Sequence, residues 1–75
     1  METKMTPTQR FEFRKRVREA VRARVRGGGT GAMEQAAQDF YVDLYTVRRW
    51  TARLSLPTLN IAMRIAPSLG IKVEA

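Results

Sequence analysis

The segment from Met33 to Arg53, MEQAAQDFYVDLYTVRRWTAR, sets the strongest constraint on how this chain folds. It reads as two short helices separated by a sharp turn at Tyr41 and Val42. Small and apolar residues recur where such a pair must pack: Ala37, Phe40, Val42, Val47 and Trp50. A close, steep crossing of two helices needs a small residue in the first, here Ala36 or Ala37. It needs an inward i,i+3 pair in the second, here Val47 and Trp50. Tyr45, Arg48, Arg49 and Ala52 then face away from that seam. A short helix with Tyr and two adjacent Arg on its outer face predicts a recognition helix, whose exposed side chains read a partner. The plainer alternative is a helical hairpin with a solvated basic face.

Upstream, Thr6-Pro7-Thr8-Gln9 supplies a helix start. Thr6 suits the cap, Pro7 the first helical position, and Gln9 the place from which a capping-box side chain reaches back. The helix is predicted to run to Arg26, with Phe13, Val17, Ala20, Val21 and Val25 on one stripe. Lys15, Arg18, Arg22 and Arg26 gather on another, while Arg10 and Arg24 interrupt the apolar one. Gly27-Gly28-Gly29-Thr30-Gly31 ends the helix, because consecutive glycines permit a left-handed exit. A phosphate-cradling loop would need a strand before it and Lys-Ser/Thr after it, so residues 27–31 read as a Gly-rich connector.

Thr30 is expected to cap a second helix, which starts near Gly31 or Ala32 and covers about Met33 to Phe40. Asp43 is expected to cap a third, Leu44 to about Arg53. Ser55-Leu56-Pro57-Thr58 breaks the pattern, and Thr58 suits the cap of a fourth helix. That helix is apolar almost all round: Leu59, Ile61, Ala62, Met63, Ile65, Ala66. Pro67 removes a helical hydrogen bond, so the helix should end near Ala66 or kink there. Ser68-Leu69-Gly70 reads as a turn. Ile71-Lys72-Val73-Glu74 alternates like a short strand, which would need a partner strand. Residues 1–5 carry no pattern and are expected to be disordered. The expectation is one all-α domain over 1–75, compact, with four to five helices, the first long and basic.

A chain of 75 residues buries only about 60% of its unfolded surface, so a partner would help to stabilise it. It has neither Cys nor His, which excludes disulfides and thiolate or imidazole metal sites. Glu34, Asp39 and Asp43 are accounted for by capping and surface placement. The chain is therefore expected not to be an enzyme, and to use no metal, cofactor or small-molecule substrate. No apolar run approaches the ~20 residues of a membrane span, and METKMTPTQR lacks a signal-peptide core, so a cytoplasmic protein off the membrane is expected. The net charge of +7 is unevenly placed. From Arg10 to Arg26 eight bases face only Glu12 and Glu19, whereas in 33–56 Arg48, Arg49 and Arg53 balance Glu34, Asp39 and Asp43. Arg outnumbers Lys eleven to three, which favours bidentate contacts to phosphate or bases.

In order and spacing, AAQDFYVDLYTVRRW followed by SLPTLNIAMRIAPSLGI resembles the lambda-repressor/Cro-like helix-turn-helix domains of phage repressors, plasmid regulators and antitoxins. The likeness covers about Thr30 to Val73. Ala37 matches the family's mid-helix Ala, Phe40 the apolar residue before the turn, and Val42 the Val after it. Val47 and Trp50 match the pair that locks the recognition helix. Pro57 and the run Arg64 to Ile71 match the segment that follows. The chain departs from the family in Tyr41, where Gly is usual, and in Met33, where Gln is frequent. It departs also in Thr51-Ala52-Arg53, in the long basic first helix, and in Pro67. A Tyr at positive φ would be strained by about 1 kcal/mol or more.

The resemblance implies binding of double-stranded DNA by a transcription regulator, a repressor acting as a homodimer in a bacterial or phage-infected cell. The third helix, 44–53, would lie in the major groove. Leu44, Tyr45, Arg48 and Arg49 match DNA-facing positions, with Arg49 the best candidate for guanine O6/N7. Arg53 would hold backbone phosphate, and Arg22, Arg26 and Thr46 are further candidates for backbone contact. The dimer would form through the fourth helix and C-terminal tail: Leu59, Ile61, Ile65, Leu69 and Ile71. Two alternatives stand beside this. One is a helix-turn-helix scaffold that binds and inhibits a host protein; the other is non-specific nucleic-acid binding through the Arg-rich first helix.

Overall fold

The capping signals at the start of the chain act as their residue types require. The Thr6 side chain accepts from the Gln9 amide at 3.1 Å, and the Gln9 side chain accepts from the Thr6 amide at 2.8 Å. With Pro7 fixing the first helical φ, this starts α1, Pro7–Gly27. In the computed structural model, which describes residues 5–72, three more helices follow: α2 (Ala32–Phe40), α3 (Leu44–Thr51) and α4 (Leu59–Ile65). A 3₁₀ turn, Ala66–Leu69, ends the described fold. The chain is all-helical, with no strand among the described residues.

At a rise of about 1.5 Å per residue, the 21 residues of α1 run most of the 38 Å long axis of the molecule. The stripe of Phe13, Val17 and Val21 is buried along it. Against it pack Ala36, Ala37 and Phe40 of α2, Val47 and Trp50 of α3, and Ala62, Ile65 and Ala66 near the C-terminus. α1 touches every other helix and the 3₁₀ turn, and α2 packs on α3. The two alanines permit close approach at the α2 seam, with Ala36 fully buried. Burying an aliphatic or aromatic side chain of this size contributes about 1.5–3 kcal/mol. Trp50, the only tryptophan, is 2% exposed.

Three segments end in the same way. Tyr41, Arg53 and Gly70 each stand in the left-handed region, at φ 55°, 59° and 74°. In each, the amide one residue further on reaches back five positions: Val42 to Ala37 O (3.1 Å), Leu54 to Arg49 O (2.8 Å), Ile71 to Ala66 O (3.0 Å). This is the Schellman ending, which satisfies carbonyls left over in the last turn. Glycine suits its left-handed position, yet only the third has one. The sharp turn expected at Tyr41 is thus present at positive φ, with Tyr where the sterically free residue would be Gly.

Asp43 and Thr58 cap α3 and α4 as expected, accepting from the amides of Thr46 (2.9 Å) and Ile61 (3.3 Å). Other expectations need correcting. Thr30 does not cap α2: the cap is Gly31 at φ 80°, with no side-chain bond, because the glycine turn brings the Ala32 amide back to Gly29 O. α3 stops at Thr51, since the Schellman ending withdraws Ala52 and Arg53. Pro67 ends α4 at Ile65, and the expected turn at 68–70 is the end of the 3₁₀ segment. Of residues 1–5, expected to be disordered, Met5 is half-buried against the core, and 1–4 lie outside the described residues. Ile71 and Lys72 carry no strand; Val73 and Glu74, the rest of that expected strand, also lie outside them.

Candidate nucleic-acid interface

Because Val47 and Trp50 are drawn into the core, α3 must present Tyr45, Arg48 and Arg49 on its far side, with its C-cap Ala52 exposed just beyond. Tyr45 is 64% exposed and Arg48 is exposed, while Arg49, Leu44 and Thr46 are half-buried. The Arg49 guanidinium lies 5.7 Å from the Tyr45 ring centroid. It also makes long contacts with the Tyr45 hydroxyl (3.4 Å) and the Leu54 carbonyl (3.5 Å). Arg49 is thus laid along the helix between an aromatic face and the end of α3, its fork pre-oriented by weak contacts. Among the described residues the Arg48 carbonyl accepts from the Thr51 hydroxyl (2.9 Å) and the Ala52 amide (3.0 Å), but its guanidinium has no hydrogen-bond or ion-pair partner.

Asp43 fixes the start of this helix. Its carboxylate accepts from the Thr46 hydroxyl and the Thr46 amide. Those bonds, the hydroxyl's foremost, hold the Asp43 carboxyl below its ordinary range. Thr46, a candidate for backbone contact, has its hydroxyl engaged in this cap.

The other end of α3 is tied to α1. Arg22 Nε donates to Thr51 O at 2.8 Å, placing a cation at a helix C-terminus. Arg22 Nη1 reaches Glu19 at 2.8 Å. Arg53 meets the same carboxylate with two donors, Nη2 at 2.8 Å and Nε at 3.3 Å, and Arg18 Nε adds a fourth bond at 3.1 Å. Arg53 foremost, then Arg22 and Arg18, lower the Glu19 pKa to about 2 despite some opposing desolvation. Glu19 in turn raises that of Arg53. Of the sequence-level candidates, then, Tyr45, Arg48 and Arg49 share one outward face. Leu44 stands half-buried at its start, Arg26 is exposed near the end of α1, and Arg22 and Arg53 meet at Glu19.

The basic excess on α1 is largely engaged. Arg14 Nε donates to Pro57 O at 2.7 Å, Arg24 pairs with Asp39 and lies 5.0 Å from the Phe40 ring, and Lys15 lies 5.4 Å from that of Phe11. The intrusion of Arg24 into the apolar stripe is thereby explained. Of the residues of the fourth helix and C-terminal tail expected to form a dimer face, Ile65 is core at 2% exposure, while Leu59, Ile61, Leu69 and Ile71 are half-buried. The apolar residues that do stand out are Phe11, Tyr41, Tyr45 and Leu54, with Tyr41 84% exposed. Sequence reasoning missed Glu19 as a hub. Its spacing to Arg22 was a signal, but Arg53 is 34 positions away. No helix among the described residues is long and apolar enough to cross a membrane. Comparison of the chain with protein-family models, curated proteins and solved structures found no match.

Proposed function

We propose that this protein is a sequence-specific double-stranded DNA-binding regulator of the lambda-repressor/Cro-like helix-turn-helix type, with α3 placed in the major groove. The observation that carries the reading is the division of α3. One side is sealed by Val47 and Trp50; the other offers Tyr45, Arg48 and Arg49 together, with Ala52 leaving room beside them. Support comes also from Tyr41, which adopts positive φ where the resembled family usually has Gly. A helix of about 10–12 Å diameter fits a groove about 12 Å wide. Arg49 is then the reader of guanine O6/N7 and Arg48 a second base or phosphate contact, with Tyr45 beside a thymine methyl or the backbone. The exposed ends of Arg53 and Arg26 serve the backbone. No catalytic, metal or cofactor role enters.

Selection from a random duplex library tests this. A recovered motif is expected, and Arg49→Ala should cost about 1–3 kcal/mol and relax one position of it. A selection that recovers no motif at moderate salt overturns the reading. The proposed repressor would act as a homodimer on half-sites about 34 Å apart, joined through Leu59, Ile61, Leu69 and Ile71 without Ile65. A monomer mass from light scattering at micromolar concentration removes the dimer.

A second reading is a protein-binding module. Its favouring observation is that exposed Tyr45 lies beside Arg49 and that Tyr41 and Leu54 are exposed as well; Tyr and Arg are enriched at interface hot spots. Under that reading Tyr41→Ala weakens capture of the partner, while duplex binding, if any, lacks base preference.

A further inference from the structure

Three guanidiniums converging on one carboxylate is more cation than that carboxylate needs. Arg18, Arg22 and Arg53 bring four donor atoms to the two oxygens of Glu19. The Arg18 and Arg22 side chains are only 14% and 19% exposed, so they are held in place, whereas Glu19 and Arg53 are open at 39% and 58%. Shielded arginines behind and an exposed bidentate one in front is an arrangement suited to a tetrahedral oxyanion. The cluster adjoins the C-terminus of α3, on the same helix end as Arg49 and Arg48. The charge left after Glu19 is counted is positive.

We propose that the Arg18–Arg22–Arg53 cluster is a site for one backbone phosphate of duplex DNA, and that Glu19 acts as its internal counter-anion, holding sequence-independent affinity down. This deepens the DNA-binding reading and rests on it. Glu19 and a phosphate compete for the same donors, and base contacts by α3 supply what a specific site adds over a random one. A sequence-independent complex gains nothing from α3 and is disfavoured by Glu19.

The test compares Glu19→Gln with Glu12→Gln on random-sequence duplex, across 50 to 200 mM salt. Gln retains the shape and an acceptor at a position 39% exposed, which keeps the fold. Glu12 is exposed on the same helix and controls for the loss of one negative charge. Each added phosphate contact steepens the salt slope by about 0.9, making binding about 3.5-fold more salt-sensitive over that range. Glu19→Gln is expected to bind random duplex more tightly than Glu12→Gln, with a slope steeper by about one and a smaller preference for the selected site. Arg53→Gln in the Glu19→Gln background should cancel the gain. Equal slopes for Glu19→Gln and Glu12→Gln overturn the proposal, as does a gain that survives Arg53→Gln. Stabilisation of Glu19→Gln by inorganic phosphate over chloride, with no change in the duplex slope, overturns the assignment to a DNA backbone. If wild type selects a motif and the slopes are equal, the regulator reading stands and this one falls. If wild type selects none while Glu19→Gln gains the slope, the sequence-specific reading falls, and with it the role of Glu19 in specificity, while the phosphate site itself stands.

Discussion

Tyr41→Gly should make this protein more stable, and the size of the effect can be worked from the turn. Tyr41 sits at φ 55°, ψ 44°, and is 84% exposed. In the left-handed region the Cβ of an L residue crowds the following carbonyl, at about 1–2 kcal/mol. Glycine removes that crowding but restores about 0.5–1 kcal/mol of unfolded-state freedom. The ring buries little, so little packing is lost. The hydrogen bonds of the ending join backbone to backbone, Tyr41 N–H to Gln38 O at 3.3 Å and Val42 N–H to Ala37 O at 3.1 Å, and survive the change. The net gain is about 0.5–1 kcal/mol. In a domain of this size that raises Tm by about 2–8 °C. The assay is urea and thermal melting followed by circular dichroism, with the urea m-value unchanged. Gly70→Ala is the opposite control: at φ 74° nothing lies within 4 Å of the added Cβ, so any loss is conformational. A Tyr41→Gly protein equal to or weaker than wild type would refute the strain argument.

Trp50→Ala removes the largest fully packed side chain and should cost about 3–5 kcal/mol. A chain of 75 residues holds only about 4–11 kcal/mol in all, so loss of helical circular dichroism at 37 °C is expected; retention of a cooperative melt near the wild-type midpoint would contradict the core assignment. Acid should weaken the fold through Glu19 and Asp43. Both carboxyls titrate lower in the folded state than unfolded, so between those values the unfolded chain binds more protons and stability falls as pH falls. Their contribution is complete above about pH 4.5 and declines towards pH 2, the folded value for Glu19. Urea midpoints from pH 6 to pH 2 should drop for wild type, and drop less for the Glu19→Gln, Asp43→Asn double variant. Equal slopes would remove both groups from the account.

What could be read in the sequence was what depends on near neighbours. The caps at Thr6, Asp43 and Thr58 act within three residues, and the core stripe of Phe13, Val17 and Val21 follows from helical spacing. So does the outward set of Tyr45, Arg48 and Arg49. Long-range pairing was not legible. Eleven arginines look alike in a sequence, but Arg14 is bound 43 positions away, Arg22 29 positions away, and Arg53 34. Which charges remain free is decided by tertiary geometry. The same holds for Ile65, on a helix apolar nearly all round, where spacing cannot say which side meets α1. Thr30 misled because a glycine turn closed α2 through backbone bonds before its hydroxyl was needed.

The reach of α1 bears on how the chain is made. During synthesis it leaves the ribosome before α2, α3 and α4, and its capping box and 21-residue length favour helical turns in it on its own. Its buried stripe has no lasting partner until Ala36 and Phe40, and then Trp50, Ala62 and Ile65, have followed. A nascent α1 therefore offers Phe13, Val17 and Val21 to whatever is near, which is the period in which such surfaces aggregate or are captured by chaperones. Its dense arginines, many without their later acceptors, keep that early helix hydrated and apart from its copies.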